Sequence, residues 1–223
     1  MKNALLAFLK GILAGLSIGL GGFLYVLMVW LIEGEIGKIL GSLLFAVGLF
    51  TVCTFSLSLY TGKIGLVFEK KQDKDFYIAL PIMYLGNAIG AFGLGYLCFA
   101  IFHQNESIMA AIQSICVSRT AFADVGSYFS CIIKSFLCGL CVYLAVKSFA
   151  FDRLKPVGIC LLVLFVFIFV YCGFQHCIAN MFYFGFGNHI QGYTFLNLAF
   201  VTLFNSFGPL PGVFLIRLFS KSR

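Results

Sequence analysis

The sequence predicts an all-α membrane protein of six spanning helices. These form two three-helix halves of opposite orientation, with the second helix of each half broken. Three observations predict this. Only 10% of the 223 residues are charged and 61% are hydrophobic, whereas a soluble domain carries about 25% charged residues. Residues 11–32, 39–62, 76–102 and 156–216 contain no Asp, Glu, Lys or Arg, and about 20 apolar residues suffice to cross a bilayer. Two apolar runs are interrupted near their ends, at 58–63 and at 180–188, by Ser, Thr, Gly and Asn.

The chain reads as a single transmembrane domain, 1–223. Residues 1–10, with Lys2 and Lys10 around an apolar stripe, read as a short arm at the membrane surface. The first span, roughly 11–32, carries small residues at 14–22 that let helices approach closely. The second runs from 39 to about 60 and stops in Ser56-Leu57-Ser58-Leu59-Tyr60-Thr61-Gly62-Lys63. Exposed backbone at that depth is tolerated only where it lines a cavity or is buried in protein. A charged loop at 69–75 leads to the third span, 76–101, where Asn87 suits a structural bond across helices.

Residues 103–127 form the longest polar stretch, with His103, Glu106, Arg119 and Asp124, and read as an extramembrane loop with some helix. The fourth span, 128–150, includes Lys134 and Lys147, which can snorkel to the interfaces. After the basic turn at 152–155, Pro156 opens the fifth span, 156–180, and the sixth is 193–218. His103 and His189 fall in loops and read as solvated. The nine cysteines give neither a disulfide framework nor a metal site; even Cys138 and Cys141 read as small apolar packing residues within a span.

The excess of 15 Lys and Arg over 8 Asp and Glu reads as topology rather than nucleic-acid binding. With six spans, Lys2, Lys10, Lys63, Lys70, Lys71, Lys74, Lys147, Arg153, Lys155, Arg217, Lys221 and Arg223 share one side. Lys38, Arg119 and Lys134 take the other. Cytoplasmic loops are enriched in Lys and Arg, so both termini are expected in the cytoplasm of a multi-pass cell-membrane protein.

The centre of the chain is Gly173-Phe174-Gln175-His176-Cys177-Ile178-Ala179-Asn180-Met181-Phe182. An ionisable residue inside a membrane segment marks an ion or proton pathway. Matching interruptions in inverted halves point to a substrate site between them. The residues thus indicate a channel or transporter for a small weak-acid anion, with His176 at its centre and no evident buried cation beside it.

Several segments carry a resemblance to a known family: residues 14–22, Leu59-Tyr60-Thr61-Gly62, Gly86-Asn87-Ala88-Ile89-Gly90-Ala91 and, most specifically, residues 173–182. Residues 144–146 and 201–205 add weaker support. The sequence resembles the formate/nitrite transporter family, which includes hydrosulfide and lactate members. That resemblance implies a homopentamer of aquaporin-like protomers, each with its own pore. By position, Phe45, Leu49, Tyr60 and Phe169 resemble the family's apolar constrictions, Thr61 its threonine and His176 its central histidine. Three positions depart from the pattern: Gln175 stands where Glu is usual, Gly139 where a pore-facing Asn is usual, and Ala123 where Lys is usual, with Arg119 the nearest cation. Asn180 is expected to satisfy the backbone of the break.

The expected substrate is a small monovalent weak-acid anion of the formate or nitrite type, moved with a proton relayed by His176. A hydrosulfide or lactate type with altered selectivity, or a neutral-solute pore, stays open as an alternative. An enzyme is argued against, because the spans hold no Asp or Glu. No cofactor or metal is expected; the partners expected are the anion, protons, the lipid bilayer and further copies of the chain.

Overall fold

A computed structural model describes residues 2–150 and 155–220. The basic turn at 152–154 and the tail from 221 to 223 lie outside them, and with them Arg153, Lys221 and Arg223 of the charge argument. The helices are α1 (Lys2–Leu31), α2 (Glu35–Thr54), α3 (Tyr60–Lys63), α4 (Leu66–Glu69), α5 (Lys74–Phe102), α6 (Glu106–Thr120), α7 (Val125–Phe149), α8 (Lys155–Tyr171), α9 (Cys177–Phe186), α10 (Gly192–Phe207) and α11 (Leu210–Ser220). Five stretches are long and apolar enough to cross a membrane: Ala4–Leu31, Glu35–Thr54, Lys74–Phe102, Val125–Phe149 and Gly192–Leu218. The last takes in α10 and most of α11. α8 and α9 are shorter, at 17 and 10 residues. At 1.5 Å per residue, neither alone covers a hydrocarbon core of about 30 Å.

Local chemistry sets the helix starts. The Asp73 side chain accepts from the Phe76 amide at 2.8 Å, opening α5. Asp124 and Ser127 form a reciprocal capping box at the start of α7. Small residues set the packing. Gly11 and Gly15 of α1 lie against Gly86, Asn87 and Ala91 of α5, and a Cβ at Gly15 would strike the Asn87 carbonyl oxygen. α9 is the core: all ten of its residues are buried, enclosed by α1, α5, α6 and α10.

The structure corrects several expectations. Residues 2–10 of the expected surface arm are continuous with the first span in α1, because nothing in 2–31 breaks the helix. The interruptions lie a few residues earlier than expected, at 55–59 and 172–176. Residues 60–63 and 177–186 are helical again, since Ser56 (φ 50°) and Gly173 (φ 66°) turn the backbone before those points.

The polar stretch at 103–127 holds the expected helix, α6, and that helix is a packed cover. Ile108, Ile112 and Cys116, each four residues apart, are fully buried, and α6 packs on α9. Burial pushes the Cys116 thiol up to about 12, so it stays protonated and donates to the Tyr183 carbonyl at 3.2 Å. His189 is buried, not solvated, between Gln113 at 3.3 Å and Thr120 at 3.2 Å. Lys147 pairs with Glu69 at 2.7 Å and lies over the Tyr143 ring, tying α7 to α4. Arg217 of α11 donates to the carbonyls of Phe68 and Glu69.

Candidate functional site

The site is built by the two helix breaks, and both are held the same way. At the first, Leu57 N–H donates to Val52 O (2.9 Å) and Ser58 N–H to Lys10 O (3.4 Å). Asn87 of α5 then closes it. Its Oδ1 accepts from Tyr60 N–H, the first amide of α3, and its Nδ2 donates to Ser58 O and Gly11 O, all at 2.8 Å. At the second, Phe174 N–H donates to Phe169 O (2.9 Å) and Gln175 N–H to Lys134 O (3.4 Å). Asn205 of α10 accepts from Cys177 N–H at 2.9 Å and donates to Gln175 O at 2.8 Å and Ser135 O at 2.7 Å. Each asparagine supplies bonds that an interrupted helix loses, which a membrane interior requires.

This framework brings Thr61 and His176 together. Thr61 Oγ1 lies 2.8 Å from His176 Nε2, and both residues are buried. The protonation state follows from the other ring nitrogen. His176 is the N-cap of α9, and its Nδ1 accepts from Ala179 N–H at 3.2 Å. A nitrogen that accepts carries a lone pair, so the neutral ring holds its hydrogen on Nε2 and donates it to Thr61. The Thr61 hydroxyl hydrogen is then available to a further acceptor.

His176 also lines a cavity of about 10 Å³ that Thr61 does not, together with Phe45, Arg119, Phe169, Val170, Phe174, Ala179, Asn180 and Tyr183. Phe45 meets Phe169 edge-on, with centroids 5.6 Å apart, and Phe169 stacks on His176 at 6.0 Å. The sequence offers Arg119 only as the cation nearest the family's lysine position, in a polar stretch outside the membrane. In the structure its guanidinium donates to Phe174 O at 3.0 Å and lies 5.6 Å over the Tyr183 ring. The four-residue spacing of Ile108, Ile112 and Cys116, continuing to Thr120, was the signal that a packed helix carries Arg119 inward.

Gln175 and Asn180 belong to an amide array with Asn197. Asn197 Nδ2 donates to Arg119 O and Gln175 Oε1, both at 2.7 Å. Asn180 Nδ2 donates to Asn197 Oδ1 at 2.8 Å and Gln175 Oε1 at 3.1 Å. Asn180 therefore faces the cavity as well as the break. Gly139 is not brought to the cavity: a Cβ there would strike the Asn205 carbonyl, so it serves the α7–α10 contact. Leu49 is buried on α2 but does not line this cavity. Tyr60 donates to or accepts from Ser206 Oγ at 2.9 Å, meets Tyr84 edge-on, and lines a separate cavity of about 510 Å³ beside α3. Among the described residues no cluster of His, Cys, Asp and Glu is arranged to hold a metal.

Comparison with known proteins supplies the family and the fold. A family model described as "Formate/nitrite transporter" matches residues 2–219. Formate channel FocA of Haemophilus influenzae is 26% identical over 199 residues, which cover 81% of this chain and 66% of that protein. The match thus spans just under two thirds of that relative's length. Among solved structures, a pentameric formate channel with formate bound superposes with a TM-score of 0.82 at 22% identity, covering 100% of this chain and 99% of that one. An FNT family ion channel gives 0.78 at 19% identity, covering 98% and 95%. With the family model matched across nearly its whole length, the chain belongs to the formate/nitrite transporter family.

Proposed function

We propose that this chain is a membrane channel for a small monovalent weak-acid anion of the formate or nitrite type, coupled to a proton at His176. The observation that carries the reading is the buried Thr61–His176 hydrogen bond of 2.8 Å, set between the two breaks with Arg119 lining the cavity that His176 also lines. A bare anion is costly to move through a dry constriction. Arg119 offers a positive charge at the mouth of the apolar Phe45–Phe169 pair, and a weak acid can take up a proton and cross neutral. An approaching anion favours the charged imidazole. To gain that proton, Nδ1 must release Ala179 N–H, so protonation and the cap of α9 are coupled. Phe45, Leu49, Tyr60 and Phe169 act as the constrictions, and Gln175 and Asn180 shape the site beside His176. Gly139 acts only indirectly, by letting α10 come close enough to bring Asn205 to the break.

The assembly proposed is a homopentamer of six-span, aquaporin-like protomers in the cell membrane, with both termini cytoplasmic. The matched bonds of Asn87 and Asn205 support two inverted halves, and the pentameric formate channel that superposes on the chain supports the oligomer. A hydrosulfide-type member is the second reading. It is favoured by the cavity of about 10 Å³, room for roughly one water-sized occupant.

Uptake of a panel of small anions into proteoliposomes, with and without a pH gradient, tests the reading. Flux of one weak acid that rises with protonation, and is lost in His176→Phe, is expected. Equal flux of chloride, or wild-type flux in His176→Phe, would overturn the proton step. Flux of neutral solutes alone would make the protein a neutral pore.

A further inference from the structure

The amide array around Gln175 leaves one polar atom over. Backbone carbonyls cannot be turned round, so the assignment can be followed outward from Arg119 O. The Asn197 atom facing that carbonyl must be the donor Nδ2. The Gln175 atom facing the same Nδ2 must be an oxygen, and the other terminal atom of Asn197 must be Oδ1. Asn180 faces both of those oxygens with one terminal atom, which must therefore be Nδ2. An inverted Asn180 amide would set oxygen against oxygen twice. Its Oδ1 is then the remaining atom. Asn180 is fully buried, lines the His176 cavity, and its Oδ1 has no hydrogen-bond partner. Buried polar groups are almost always paired, and an orphan calls for an explanation.

The titratable groups lining the cavity do not satisfy it. Arg119 is engaged with Phe174 O, and His176 turns its Nε2 to Thr61 and its Nδ1 to Ala179. Tyr183, the third, forms no bond to this oxygen. The cavity thus offers a cation, an acceptor that lacks a donor, and aromatic walls. A carboxylate or nitrite ion has only acceptors to present to that oxygen and is repelled by it. The undissociated acid presents an O–H donor on one oxygen and an acceptor on the other.

We infer that Asn180 Oδ1 accepts the acidic hydrogen of the protonated substrate while Arg119 faces its other oxygen, so that this cavity binds the neutral acid. The inference rests on the weak-acid reading above. It assigns Asn180 a part in discriminating acid from anion. Entry of an occupant larger than water requires Phe45 and Phe169 to move apart, since the cavity holds about 10 Å³.

Formamide and methyl formate test it in the unaltered protein. Formamide keeps the carbonyl of formic acid and replaces its O–H with N–H; methyl formate keeps the carbonyl and has no donor. In wild-type proteoliposomes, excess formamide is expected to slow formate uptake and methyl formate is not. In Asn180→Leu, formate uptake at acid pH is expected to fall roughly tenfold, and the formamide effect to vanish. Should Asn180→Leu fail to assemble, the wild-type competition decides. Formate uptake indifferent to formamide means the oxygen is met by water only, and overturns the inference alone. Equal competition by both esters and amides means size governs, and overturns it too. A wild type that carries no formate overturns the functional reading, and the inference with it.

Discussion

The breaks at 55–59 and 172–176 use the same bonds and do different work. In each, an amide of the turn reaches back to the preceding helix, the next reaches across to Lys10 or Lys134, and one asparagine closes the gap. Position by position, Ser58 stands where Gln175 does, Leu59 where His176 does, and Thr61 where Ile178 does. The first break caps a four-residue helix with a leucine whose side chain offers no hydrogen bond. The second caps a ten-residue, fully buried helix with an imidazole. Matching hydrogen bonds therefore hold two unlike groups face to face: a hydroxyl beside one break and a ring nitrogen beside the other. The chemistry arises from the asymmetry, and the framework only aligns it.

Replacing the odd residue out should have the largest effect. His176→Leu makes the second break resemble the first, and weak-acid flux into proteoliposomes should fall about a hundredfold or more. Loss of a transfer group commonly costs that much. Lysis-free uptake at pH 5.5 and 7.5 measures it, and retained flux would mean the two breaks are chemically interchangeable. Next come the asparagines. Asn87→Ala and Asn205→Ala should each destabilise the protein by about 3 kcal/mol, since each strands several buried backbone groups. Thermal unfolding in detergent compares them, and a harmless substitution on one side would break the parallel. Thr61→Val removes the hydroxyl but keeps the shape, and flux should drop roughly tenfold with little change in melting.

The smallest effect concerns the cover that only the second break possesses. With its thiol held near 12, Cys116 is uncharged at pH 8 and should resist maleimide in the folded protein, and label once the protein is unfolded. Raising pH increases thiolate at Cys116 only as pH nears that value. Fast labelling at pH 8 would show α6 to be loosely seated.

Much of this site was legible beforehand because hydrocarbon is a strict solvent. Charge-free runs marked the helices, and Ser, Gly and His inside them marked the places where backbone is exposed. Thr61 falls in the interruption at 58–63, and His176 stands out as an ionisable residue inside a span. Arg119 could not be placed, because its helix mixes polar and apolar residues and its buried stripe is only Ile108, Ile112 and Cys116. Gly139 was read for the side chain it lacks, whereas its role is the clearance it gives Asn205. The break lies at 172–176 rather than 180–188 because Gly173 supplies the left-handed turn before α9, whereas Asn188 turns the backbone only after α9 has ended. Gln175 looked like a lost charge; in three dimensions it is the oxygen on which two amides converge.

The cap on α9 has a consequence for genetics. The imidazole that caps α9 through Nδ1 is, on the proposed reading, also the proton carrier, so most alleles at codon 176 are pleiotropic. A null phenotype from alanine there confounds a frayed helix with a missing proton carrier. Asparagine is an efficient N-cap that cannot exchange a proton near neutrality. His176→Asn is therefore the allele that separates the two duties, leaving α9 seated while silencing the ring.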